Sequence, residues 1–163
     1  MSALMPLEPL FDYAVLDKEV CVPHPVTGLL SYGYIEPYSS RNLTLPGGDI
    51  YLRVGKHHGF SKGFGVRHIW EGHGHELVSA GCQTIEDVPA FVAESCPRAQ
   101  ILCEGYQTRD GYRLTIVRGA KGVVILSPQL DAAGENFYSV VTAYKVLKKQ
   151  SAMNVGTLKA KAP

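Results

Sequence analysis

The sequence predicts an α+β domain in which two N-terminal helices pack on one face of an antiparallel sheet of four or more strands, preceded by an irregular arm. Three observations carry this expectation: apolar residues at helical spacing over residues 64–77, a capped helix start at Thr84, and a switch to two-residue alternation after residue 100.

Val66, Ile69, Trp70, His73 and Leu77 form the stripe of the first helix. Gly72 and Gly74 lie inside it, and each costs a helix about 1 kcal/mol relative to alanine, so an end or a kink is expected there. Thr84 is placed to cap the amide of Asp87, and Val88, Phe91, Val92 and Cys96 form the buried side of the second helix. Pro89 lies close enough to its start to be tolerated, and Pro97 closes it. Residues 100–106, 112–118, 122–126 and 137–147 then read as strands, with turns at Asp110-Gly111, 120–122 and 131–135. Upstream, Gly47, Gly48 and Asp49 give a turn signal before a strand at 50–54. Residues 1–48, punctuated by six prolines, read as an arm with short strands. Residues 148–163 hold Lys148, Lys149, Lys159 and Lys161 without an acid and read as a frayed basic tail.

At 163 residues, 45% hydrophobic and 19% charged, the chain fits one folded domain. A formal net charge of +1 argues against the blanket electrostatics of a histone-like binder, and local distribution is more telling. Residues 51–68 contain no acid but hold Arg53, Lys56, His57, His58, Lys62, Arg67 and His68, a landing place for a polyanion. Cys21, Cys82, Cys96 and Cys103 lie far apart with no CxxC pair; reduced thiols are the simplest expectation, with disulfides the alternative outside the cell. Neither a signal-peptide pattern nor an apolar run near 18 residues is visible, so no membrane association is expected.

Alternation in the last strand puts Phe137, Val141 and Ala143 on one face and Tyr138, Thr142 and Tyr144 on the other, with Arg113 and Thr115 adding polarity in a neighbouring strand. Such a hydroxyl-bearing face suits phosphate and unpaired bases, although a wet outer sheet face is as common. On the first helix His73 lies in the apolar stripe, where a histidine is more often a satisfied core residue. His68 falls about 200° round from Val66, off that stripe, so the two do not share one orientation. Its neighbours Lys56, His57, His58 and Arg67 make His68 the stronger catalytic candidate.

The run LRVGKHHGFSKGFGVRHIWEGHGHEL, followed by TIEDVPAFV and FYSVVTAYK, resembles the BECR superfamily of barnase, EndoU, colicin-type tRNases and RelE. Within it, the phage-associated PBECR branch and the toxin tips of contact-dependent inhibition systems are the most similar. The resemblance covers about residues 50–147 and makes residues 49–147 a nuclease domain. It implies two helices followed by a four-stranded sheet with RNA across its face, and cleavage without metal or other cofactor: the ribose 2'-hydroxyl attacks the adjacent phosphorus to leave a 2',3'-cyclic phosphate. It further implies His68 and His73 as acid and base, Thr142 and Tyr144 on the scissile phosphate, and Lys56 or Arg67 beside the phosphorane, with His57, His58, Arg113 and Tyr138 as further substrate contacts. Its partners are then an RNA, tRNA among the candidates, and a cognate immunity protein covering the basic cleft of a monomeric toxin. Its place of action is a bacterial cytoplasm, reached in some branches as part of a larger secreted or phage protein.

Two other classes remain open on the residues. Five of the six histidines lie between positions 57 and 75, which allows a metal hydrolase, although the helical pair is five residues apart and lacks the HExxH pattern. A non-catalytic RNA- or protein-binding phage accessory module is the other.

Overall fold

Both helices form where the apolar spacing places them. The structure, a computed structural model, describes residues 12–40, 44–59, 62–103, 115–145 and 153–160. Helix α1 (Gly65–Leu77) buries Val66, Ile69 and Leu77 and runs through Gly72 and Gly74 unbroken. A Cβ at Gly74 would stand 2.8 Å from the Trp70 ring, so glycine lets the indole lie over the next turn. Thr84 and Asp87 form a capping box around a 3-10 turn (Ile85–Asp87) that leads into helix α2 (Val88–Ser95), with Pro89 in its first turn. The expected face of Val88, Phe91, Val92 and Cys96 is buried, but so are Pro89, Ala93 and Ser95. Helix α2 is therefore enclosed nearly all round.

The sheet is curled, seven-stranded and mixed, which overturns the expected architecture of two helices on one face of an antiparallel sheet of four or more strands. In chain order the strands are β1 (Ser31–Ile35), β2 (Tyr38–Ser39), β3 (Thr44–Leu45), β4 (Gly48–Tyr51), β5 (Lys56–Gly59), β6 (Lys62–Phe64), β7 (Gln100–Cys103), β8 (Thr115–Arg118), β9 (Val123–Leu130), β10 (Asn136–Tyr144) and β11 (Met153–Thr157). Seven join in the order β1-β4-β10-β9-β8-β7-β11, while β2 with β3 and β5 with β6 make separate two-stranded ribbons. The sheet is mixed, because β4 runs parallel to β10 whereas the other neighbouring pairs are antiparallel.

Two features hid this topology. Gly48 and Asp49 belong to β4, not to a turn: a Cβ at Gly48 would lie 2.9 Å from the Asn136 carbonyl oxygen, so glycine serves close strand approach. The arm and the expected tail also supply the outer strands, β1 and β11. Beyond β11 the chain returns to β1, where the Tyr34 amide donates to the Lys159 carbonyl at 2.9 Å and the Lys159 amide donates to the Tyr34 carbonyl at 3.1 Å. Leu158 packs into the core beside this junction. Lysines flanking Val155 and Leu158 gave these residues the composition of a tail, yet the apolar pair anchors them to the sheet.

The main core joins Val66, Ile69 and Leu77 of α1 and Val88, Phe91 and Val92 of α2 to Tyr138, Val140 and Ala143 of β10. On the opposite sheet face Leu102, Ile116, Val123 and Ile125 form a smaller cluster with Val141 and Tyr144 against it. The 131–135 turn is held by Asp131, whose Oδ1 accepts the amides of Ala133 and Glu135, each at 2.9 Å. All four cysteines are free thiols. Among the described residues no helix is long and apolar enough to cross a membrane.

Candidate active site

The β5–β6 ribbon lies against α1 and brings His57 to His68. His57 pairs in register with Gly63, whose φ of 140° is open to glycine. A Cβ there would meet the Lys56 carbonyl oxygen and stand 2.8 Å from His68 Nδ1, so the ribbon sits this close only because the position carries no side chain. The Nδ1 atoms of His57 and His68 are 2.9 Å apart and the ring centroids 5.1 Å, tilted by 32°. Burial, with 7% of His68 exposed, pushes its pKa below 6.5, and the neighbouring His57 and His73 lower it further.

An Nδ1-to-Nδ1 hydrogen bond fixes the tautomers as a pair. One ring donates through Nδ1–H and keeps a basic Nε2; the other accepts at Nδ1 and carries its proton on Nε2. The neutral pair thus presents one proton acceptor and one proton donor on its outer nitrogens.

From His68 the group extends through His73 to the sheet. The His73 ring lies 5.2 Å from the Tyr144 ring, centroid to centroid, and its Nδ1 is 2.7 Å from Glu76 Oε1. Glu76 Oε2 accepts the Lys145 amide at 3.4 Å, and Lys145 Nζ donates to Ser79 Oγ at 2.7 Å. Burial reverses the order expected from the helical wheel. His68, off the stripe, is buried, whereas His73, on the stripe, keeps 31% of its side chain exposed. The cause is the ribbon: it covers the flank of α1 that carries His68, and a helix taken alone does not include it.

Thr142 and Tyr144 share a sheet face, opposite Ile125 and Val123, but Tyr138 does not join them. A bulge at Val141 shifts the register between Val140 and Thr142 and exchanges the faces below it. Tyr138 is fully buried in the main core with its hydroxyl donated to the Pro46 carbonyl at 2.6 Å, so its assignment to the substrate face is corrected. Thr142 Oγ1 is itself buried and has no hydrogen-bond partner among the described residues.

The remaining candidates separate. Lys56 is half-buried and His58 exposed on β5, and Arg113 falls outside the described residues. Arg67 donates from Nε to the Tyr13 carbonyl at 2.6 Å, from Nη1 to that of Gly55 at 2.9 Å and from Nη2 to that of Leu16 at 2.5 Å, so much of its guanidinium ties the arm to α1. His57 and Arg67 line a cavity of about 750 Å³ whose wall also carries Asp12, Glu71 and Glu86. Tyr13, in the same wall, has its pKa raised to about 12 by burial and by Glu86. Of the basic stretch, Arg53 is answered by Glu19 and Arg67 by backbone carbonyls.

A second polar group was not singled out from the sequence. Arg53, 8% exposed, donates from Nε and Nη2 to Ser139 Oγ at 3.1 and 2.7 Å, from Nη2 to Gln129 Oε1 at 3.3 Å and from Nη1 to Glu19 at 2.6 Å. Its guanidinium carbon stands 4.2 Å from the Phe64 ring centroid and 5.9 Å from that of Phe137. Sequence separations of 34 to 86 residues between Arg53 and its partners left only its charge as a signal.

For the metal alternative, no group of three or more His, Cys, Asp or Glu side chains is placed to hold an ion among the described residues. Compared with family models, curated proteins and solved structures, the chain matches none.

Proposed function

We propose that the chain is a metal-independent endoribonuclease in which His57 and His68 work as one proton-transfer unit. The observation that carries the reading is the 2.9 Å Nδ1-to-Nδ1 hydrogen bond. It couples the tautomers of the two rings, so that the ring donating through Nδ1 presents a basic Nε2, the group that removal of a 2'-hydroxyl proton requires.

His57 lines the cavity and is the member that meets substrate; His68 stands behind it as the positioning partner. With His57 in the Nδ1–H tautomer, its Nε2 takes the ribose 2'-hydroxyl proton as the 2'-oxygen bonds to phosphorus. The phosphorus–O5' bond breaks, and His73, oriented by Glu76, gives a proton to the departing 5'-oxygen. The products are a 2',3'-cyclic phosphate and a 5'-hydroxyl. Lys56 and the N–H groups of Arg67 not spent on carbonyls face the developing charge, and the hydroxyl of Tyr144, whose ring lies against His73, holds the phosphate, while the buried Thr142 hydroxyl takes no part. An RNA that presents an unpaired nucleotide is the substrate class, and an immunity protein bearing acidic residues is the matching partner.

Excess EDTA should leave cleavage of a mixed RNA substrate intact, with cyclic phosphate ends on the fragments. Replacing His57 or His68 by alanine should lower the rate by about 10²- to 10⁴-fold. A chain that cleaves no RNA, or whose cleavage survives the double substitution, would refute the reading.

A further inference from the structure

Arg53 poses a question that the histidine group does not answer. A guanidinium 8% exposed needs full compensation, yet its carboxylate partner among the described residues, Glu19, keeps 59% of its side chain in solvent. The other bonds go to neutral groups, Ser139 and Gln129. A buried cation closed by a solvent-exposed anion is a site at which another anion can exchange with the carboxylate.

The surroundings narrow that anion. A cavity of about 330 Å³ opens beside Arg53 and is lined by Glu19, Tyr51, Gln129 and Phe137 among others. Its volume is at the small end of ligand pockets, which run from about 300 to 1,000 Å³, and suits a mononucleotide. The Tyr51 and Phe137 rings, with centroids 5.6 Å apart, provide an aromatic wall, and Gln129 provides an amide able to donate and accept. Asp131 also lines the cavity, but its Oδ1 is engaged by two amides of its own turn.

We propose that this cavity is a nucleoside-phosphate site: the phosphate replaces the Glu19 carboxylate on Arg53, and the base lies against Tyr51 and Phe137 beside the Gln129 amide. The phosphate takes the Nη1 donor that Glu19 now holds, while Ser139 and Gln129 keep the rest of the guanidinium in place, and aromatic walls accept any base face. The site goes beyond the ribonuclease reading and does not depend on it, since binding here needs no scissile bond.

Titration of the full chain by calorimetry with adenosine 5'-monophosphate, ribose 5-phosphate, adenosine and inorganic phosphate tests it. Saturable binding of the nucleotide is expected, at least about tenfold tighter than binding of ribose 5-phosphate or adenosine. Glu19→Gln, an exposed change, should raise nucleotide affinity several-fold because the competing carboxylate is gone. Phe137→Leu should lower it by roughly five- to tenfold while leaving ribose 5-phosphate unaffected. Arg53→Met should abolish binding; if that variant fails to fold, the Glu19 and Phe137 variants still decide. Competition by a short single-stranded RNA would assign the site to a nucleotide within a strand, and no competition would assign it to free nucleotides. No saturable binding in the millimolar range, or a weaker complex in Glu19→Gln, would overturn the proposal. Loss of RNA cleavage with intact nucleotide binding would instead remove the ribonuclease reading alone.

Discussion

His57 and His68 hold a single proton between two Nδ1 atoms 2.9 Å apart, so the β5–β6 ribbon and α1 are joined through a bond that lasts only while the pair is not fully protonated. The joint is polar and part-buried.

Its pH dependence has a definite sign. The folded-state pKa of His68 lies below the ordinary 6.5, so protonation favours the unfolded chain. This contribution to stability is complete above about pH 6.5 and is lost as the pH falls from there through the lowered value. His24 adds to the same slope, since burial lowers its pKa and its Nδ1 accepts the amides of Val26 and Thr27. Thermal melting between pH 8 and pH 5 should show a falling midpoint, and His68→Gln should flatten part of the fall but not all of it.

Gly63→Ala should separate the pair. The new methyl meets the Lys56 carbonyl oxygen and His68 Nδ1 at a backbone φ of 140°, and strain of this kind costs of order 1–3 kcal/mol. Urea denaturation should record the destabilisation, and the His57 and His68 ring resonances should move together in NMR spectra.

How far these residues were legible in the sequence depends on the range of the signal. Thr84, Pro89, Val88, Phe91 and Val92 are a local pattern, and the helix they announce is the one that forms. His68 and His73 both stand out in the sequence, but a wheel drawn for α1 alone assigns burial as though only the sheet covered it, and the ribbon carrying His57 reverses the result. Tyr138 was misplaced because one extra residue at Val141 exchanges the faces, and nothing in FYSVVTAY marks a bulge. The β4–β10 parallel pairing and the return of Lys159 to Tyr34 join segments too distant for any periodicity to register.

Thr142→Val isolates the cost of an orphan hydroxyl. Thr142 Oγ1 is buried without a partner among the described residues, so replacing it by an isosteric methyl should leave stability unchanged or raise it by about 0–1 kcal/mol. RNA cleavage should be unchanged in the same variant, because a hydroxyl closed off from solvent does not reach a phosphate.

Phe91→Ala tests the enclosure of α2. Phe91 is 1% exposed, and a Cβ at Gly122 would strike its ring, so the β8–β9 turn is moulded to this side chain. A loss of about 3–5 kcal/mol is expected on chemical denaturation, with little relief from collapse around so closely fitted a ring.

The Tyr34–Lys159 junction also governs how the protein comes into being. During synthesis β1 is made early, but the backbone partner that covers it near Tyr34 emerges only with residue 159. Until then the two backbone hydrogen bonds between Tyr34 and Lys159 are unmade, and the edge of β1 at that point lacks this cover. A chain stopped before that residue keeps the strands of the sheet but lacks the bridge that ties the segment after β11 back to β1.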